Sequence, residues 1–202
     1  MTLVAVSKTV PAERLREMLG CGHAVFGENR VQEALRKIPL VGPGARWHLV
    51  GHLQRNKARH AVGGFDLIHS VADVDLAREL DRRAAAAGIV QPCLVEVNVA
   101  GEGTKEGVDE GGLPELLDAI LPLEHLELRG LMCIPPPVEH AEQARGWFAR
   151  LREVRDRAAA RAGHALPELS MGMTDDFEVA VEEGATLVRV GRGLFGERAR
   201  GA

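Results

Sequence analysis

Three stretches of this chain carry residue types that can do chemistry together. The first is Leu3-Val4-Ala5-Val6-Ser7-Lys8-Thr9, an apolar run that ends in a lysine and is followed by Pro11. A valine-rich run closed by a turn signal predicts a strand buried on both faces. Lys8 then stands at the strand's C-terminal end, where α/β folds keep their chemistry. A lysine held against an apolar wall is pushed toward its neutral amine, which can form a Schiff base. A solvated lysine at a strand end is the plainer reading of the same residue.

The second stretch is Leu169-Ser170-Met171-Gly172-Met173-Thr174-Asp175-Asp176. It reads as a strand end, a glycine turn and a helix start with hydroxyls and acids suited to capping. Free amides at such a start bind a phosphate, and Ser170 and Thr174 can add hydroxyl donors. The third is Val188-Arg189-Val190-Gly191-Arg192-Gly193-Leu194-Phe195-Gly196. Gly191 and Gly193 let backbone amides approach a ligand closely. Arg189 lies within a strand between apolar neighbours, so it points into the fold and needs an acceptor. A ligand atom or a buried carboxylate such as Glu96 can supply one.

These groups need a frame that brings them together. The pattern predicts strands at the start of the chain, at His23–Phe26, Arg46–Val50, Phe65–Ser70 and Cys93–Val99, within Leu126–Ile134, and at Glu168–Ser170 and Ala185–Val190. Between them it predicts helices over Pro11–Leu19, Val31–Ile38, Leu53–Val62, Asp73–Ala87, Leu113–Leu121, Val138–Ala162 and Thr174–Glu183. Eight strands alternating with seven helices predict a single parallel (β/α)8 TIM barrel over residues 1–202, with an open doubly wound sheet as the alternative. No helix precedes strand 1 and no full helix follows strand 8, which leaves one position of the outer ring open. Every strand of a barrel ends at one mouth. Lys8, Asn29, Gly51, His52, Ser70, the Gly101–Gly107 loop, Cys133, Ile134, Ser170–Thr174 and Arg189–Gly193 are expected to meet there. A ligand with an aldehyde and a phosphate satisfies the lysine, both phosphate grips and the arginine. Pyridoxal 5′-phosphate (PLP) is such a ligand.

The 202 residues are 46% hydrophobic and 27% charged, and the net charge of −4 offers no global field for nucleic acid or an anionic membrane. The basic run Arg55–Arg59 therefore reads as a solvated helix face. His48 and His52 are four apart, but a strand end and a turn lie between them, so helical metal spacing does not apply. Cys21, Cys93 and Cys133 are an odd, widely spaced set and read as reduced cytosolic thiols. Met1 leads directly into the first strand, and no apolar run is long enough to span a bilayer. The chain has no tyrosine, so it has no phenol to serve as acid or base.

The residues Val4–Thr9, Phe26–Asn29, Trp47–Lys57, His69–Val71, Val97–Val99, Leu128–Met132, Leu169–Thr174 and Val188–Gly191 resemble the pyridoxal phosphate homeostasis proteins. The resemblance runs along nearly the whole chain. It implies a barrel similar to the N-terminal domain of alanine racemase, of PLP fold type III, with PLP on Lys8. It places Arg189 at the pyridine nitrogen and Asn29 beside the ring. It places Ser170, Met171, Gly172, Thr174, Gly191 and Arg192 around the phosphate, largely through backbone amides. Lys105 matches a lysine that the family carries after strand 5. The family is cytosolic, usually monomeric and without established turnover; it binds, buffers and hands on PLP, in transient contact with apo PLP enzymes. A racemase or a Schiff-base aldolase is the alternative. This chain departs from the family in two places. The family's helix ahead of strand 1 is missing, which opens a dimer contact through the gap as an alternative to the monomer. Arg192 also stands where a small residue is commoner.

Overall fold

The computed structural model describes residues 1–101 and 106–196. Eight parallel strands close into one barrel in chain order. They are β1 (Thr2–Val6), β2 (Val25–Glu28), β3 (Arg46–Leu49), β4 (Leu67–Val71), β5 (Gln91–Glu96), β6 (Leu126–Met132), β7 (Glu168–Ser170) and β8 (Leu187–Val190). The helices are α1 (Ala12–Gly20), α2 (Val31–Val41), α3 (Ala58–Ala61), α4 (Val74–Ala87), α5 (Leu113–Ile120), α6 (Arg145–Ala162), α7 (Phe177–Glu182) and α8 (Arg192–Phe195). The expected (β/α)8 architecture is present.

Alternation of side chains along each strand produces two cores. Outward residues such as Phe26, Trp47, Ile68, Val95 and Leu131 pack against the helices. Inward Val4, Val25, Val50, Leu67, Leu94, Met132 and Leu187 fill the barrel. Helix faces match this: Phe148, Leu151, Val154 and Ala158 bury one side of α6. Asp73 accepts from the Leu76 amide at 2.7 Å and opens α4, and left-handed Gly88 ends it.

The differences from expectation lie at the strand ends and in the shorter helices. The third helix is only a 3-10 turn (Arg55–Lys57) followed by one α turn, because buried Leu53 anchors an extended entry to it. The sixth begins at Arg145 rather than Val138. The polyproline run forms no helix, and Gln143 caps a short 3-10 turn by accepting from the His140 amide at 3.1 Å. β2 runs on to Glu28, and β5 stops at Glu96, after which Val97 makes an isolated bridge to Val108. Beyond β8 the chain forms the four-residue α8, as short as α3.

Candidate functional site

Lys8 follows β1 at the mouth and is held from both sides. The Ser7 amide bonds Gly27 O at 2.8 Å, and the Ser7 hydroxyl donates to Glu28 Oε1 at 2.6 Å. On the other side, the Thr9 amide donates to Glu33 Oε1 at 2.6 Å, with Thr9 at φ +65°. That left-handed value is costly for a β-branched residue, so the carboxylate contact has to hold it. Lys37 joins the two carboxylates beneath the turn. Its ammonium donates to Glu28 at 2.8 Å, Glu33 at 2.6 Å and Ser7 O at 2.6 Å. Burial raises the Glu28 carboxyl, and the Lys37 and Ser7 hydrogen bonds offset this only in part. Burial also acts on Glu33, but the Lys37 and Thr9 hydrogen bonds win and lower it.

The inner layer below the mouth is polar. Arg189 is buried, and its Nη1 donates to Ser170 Oγ at 2.6 Å and its Nη2 to Cys133 O at 2.8 Å. Ser170 Oγ also meets His69 Nδ1 at 2.8 Å, and His69 Nε2 meets His48 Nδ1 at 3.1 Å. Burial pushes His48 down to about 4 and His69 well below its ordinary value, so both rings are neutral. Glu96 lies in the same layer. Burial pushes its carboxyl up to about 7, Glu106 adds to the rise and Arg189 opposes it. The acceptors of Arg189 are therefore Ser170 and the Cys133 carbonyl, while Glu96 acts on it through charge.

A cavity of about 520 Å³ opens above this layer. It is lined by Val6, Lys8, Asn29, Val50, Ile134, Met173, Thr174, Asp175, Arg189, Gly191 and Arg192. The amides of Thr174, Asp175 and Arg192 have no acceptor among the described residues, whereas Asp176 Oδ1 takes the Met173 amide at 2.6 Å. Gly172 allows this turn: at φ +88°, a Cβ there would stand 2.6 Å from Ala180 Cβ. Gly193 N reaches Thr174 Oγ1 at 3.4 Å and ties the two glycine turns together. Arg192 pairs with Asp175 across the rim. Asn29 Oδ1 is buried with no hydrogen-bond partner. A second cavity of about 630 Å³ adjoins on the β2–β3 side and also reaches Lys8 and Asn29.

Lys8, Asn29, Thr174, Arg189, Gly191 and Arg192 thus border one cavity. Ser170, Met171 and Gly172 lie buried behind it, with the Ser170 hydroxyl bonded to His69 and Arg189. Ser70 is structural: its hydroxyl donates to Gly51 O at 2.7 Å. Gly51 is required because a Cβ would lie 2.5 Å from Asn29 O. Lys105 lies outside the described residues. His48 is buried against His69 and His52 is exposed, and no group of three or more potential metal ligands occurs among the described residues. Cys93 and Cys133 are buried free thiols. Sequence reasoning missed Glu28, Glu33 and Lys37. The available signal was Lys37 itself, a lysine on the core face of α2 between Ala34 and Val41.

The barrel and its mouth define a class that comparison makes definite. Residues 1–199 match the family described as alanine racemase, N-terminal domain. Among solved structures, PipY of Synechococcus elongatus with PLP bound is 41% identical, with TM-score 0.90, over 97% of this chain and 92% of that one. An alanine racemase from Clostridium difficile is 13% identical with TM-score 0.77, over 98% of this chain and 53% of that one, and shares the fold alone. The pyridoxal phosphate homeostasis protein of Aquifex aeolicus is 50% identical over 97% of this chain and 86% of that protein. The one from Pseudomonas aeruginosa is 44% identical over 99% and 86%. The chain belongs to the pyridoxal phosphate homeostasis family of these barrels.

Proposed function

We propose that this chain binds pyridoxal 5′-phosphate at the barrel mouth, carries and buffers it, and takes part in intracellular vitamin B6 homeostasis. One observation carries this reading: Lys8, the Arg189 guanidinium and the open amides of Thr174, Asp175 and Arg192 border a single cavity. The names of the relatives and the PLP-bound PipY support it. Lys8 would anchor the aldehyde as a Schiff base. The amides at Thr174, Gly191 and Arg192, above the Ser170-Met171-Gly172 turn, would hold the phosphate. Asn29 would lie beside the ring, and Arg189 would meet the pyridine nitrogen.

When bound, the cofactor supplies an electron sink, and a cation at its ring nitrogen weakens that sink by disfavouring protonation there. Racemisation needs a second acid or base on the opposite ring face, and the chain contains no tyrosine. Holding PLP and handing it to apo-enzymes in the cytoplasm is the function we infer from these features. No helix among the described residues is long and apolar enough to cross a membrane.

Loading the purified protein with PLP tests this directly. A visible absorbance band is expected. Borohydride reduction is expected to fix the cofactor's mass on the peptide that carries Lys8, and Lys8→Ala should lose both signals. Absence of a band overturns the binding, and mass fixed on another lysine overturns the anchor. Racemisation of free amino acids well above background overturns the carrier reading in favour of an enzyme.

A further inference from the structure

The polar layer under the cavity has a direction that can be deduced bond by bond. A guanidinium has donors and no acceptor, so Arg189 Nη1 donates to Ser170 Oγ across their 2.6 Å contact. The hydroxyl has one proton of its own. If His69 Nδ1 were the donor in the 2.8 Å contact with Ser170, Oγ would accept twice and its proton would lie unpaired in a fully buried site. Ser170 therefore donates to Nδ1. His69, neutral, carries its proton on Nε2 and donates to His48 Nδ1 at 3.1 Å. His48 in turn carries its proton on Nε2. Among the described residues, the only buried side-chain polar atoms without partners are Glu28 Oε2 and Asn29 Oδ1, so every member of this chain is satisfied. The charges that bear on the two rings are Arg189, Arg46, Arg129 and Asp66.

The chain fixes one side of Arg189. Ser170 holds Nη1 and the Cys133 carbonyl holds Nη2 at 2.8 Å, while the residue borders the cavity. We propose that His69 is a positioning residue for the cofactor's ring: acting through Ser170, it locks the guanidinium that faces the pyridine nitrogen and leaves that nitrogen without a proton source. The inference rests on the PLP reading above. The Ser170, His69 and His48 protons are each committed away from the cavity, and two of the five Arg189 N–H groups are held by Ser170 and the Cys133 carbonyl, which leaves the others on the side that borders the cavity. Ser170 is thus an acceptor toward Arg189 and has no proton left for a ligand. A residue with no contact to the cavity would in this way set both the grip on the ring and its electronic state.

Two measurements test this. Nitrogen NMR of the protein without added PLP reads the tautomers, and both His48 and His69 are expected neutral with the proton on Nε2. A His69 ring protonated on Nδ1, or charged at neutral pH, overturns the proposal without touching the PLP reading. The second compares His69→Phe, which removes the acceptor, with His69→Asn, whose amide oxygen can replace Nδ1. Each is loaded with PLP labelled at the ring nitrogen. The wild-type ring nitrogen is expected to show the unprotonated shift. His69→Phe should weaken PLP binding by about tenfold or more and move that shift, and His69→Asn should restore both. Wild-type affinity and shift in a folded His69→Phe variant overturn the proposal, as does an Asn variant no better than Phe. Should His69→Phe fail to fold, the tautomer measurement and the Asn variant decide. Failure of the wild type to bind PLP is a different result and strikes the functional reading itself.

Discussion

Lys37→Met tests how the turn that presents Lys8 is held. Methionine fills a similar volume but removes the ammonium that joins Glu28, Glu33 and Ser7 O. The Glu28 side chain is fully buried and the Lys37 side chain is 10% exposed, so solvent screens the pair little. Without its partner, Glu28 must either stay ionised in the interior or take up a proton. Protonating a carboxyl of ordinary pKa at about pH 7 costs roughly 3 kcal/mol. The lost donor to the Ser7 carbonyl adds about 1 kcal/mol. The sum falls within the roughly 3–5 kcal/mol found when one partner of a buried pair is removed. In a domain of this size that is a melting-temperature fall of about 6–20 °C. The protonation cost shrinks as pH falls, to roughly 1 kcal/mol at about pH 5, so the variant's deficit must shrink with it. Thermal and urea unfolding at the two pH values read both effects. Removing both charges in Lys37→Met/Glu28→Gln should recover most of the loss, because no fully buried charge is left unpaired, and part-exposed Glu33 keeps the Thr9 amide. A melting temperature within about 2 °C of wild type, a deficit independent of pH, or a double variant worse than the single would each refute the reasoning.

Two further predictions follow from the same layer and rim. Glu96 ionises near 4.5 as an ordinary glutamate and near about 7 in the fold, where burial raises it. Between those values the folded state keeps a proton that the unfolded state has lost, so this group's contribution to stability falls as pH rises through about 7. The difference is worth roughly 3 kcal/mol. Glu96→Gln should gain on wild type between about pH 5 and pH 7 and hold a constant lead above that; a lead that ignores pH in urea titrations refutes the assignment. At the rim, Arg192 pairs with Asp175, and their side chains are 57% and 69% exposed. Arg192→Thr should weaken PLP by only about twofold to fivefold and leave pyridoxal, which has no phosphate, unchanged. Equal losses for both ligands in equilibrium titrations would place Arg192 away from the phosphate.

Much of this architecture can be read from the sequence, for identifiable reasons. The barrel is legible because eight apolar runs alternate with amphipathic ones, and Lys8 and Arg189 are legible because each breaks such a run. The glycine turns at Gly172 and Gly191 stand out for the same reason. The Glu28–Lys37–Glu33 cluster is not legible, because its members look like ordinary strand-end and i,i+4 helix charges until the packing of α2 on β1 and β2 buries them. The direction of the Ser170 hydroxyl depends on His69, a residue 101 positions away, and no local pattern reports that. The third helix fails in the opposite sense. Its residues allow a helix, but the anchoring of Leu53 shortens it to a turn.

The His69–Ser170 contact has a mechanical consequence as well. It joins β4 to β7, strands that are not neighbours in the barrel, so it crosses the lumen as a strut. Flattening the barrel at its mouth would stretch that bond and, through Ser170, one of the two contacts that hold Arg189. Among the described residues, the openings above the strut are the rim at Arg192 and Asp175 and the adjoining cavity beside Lys8.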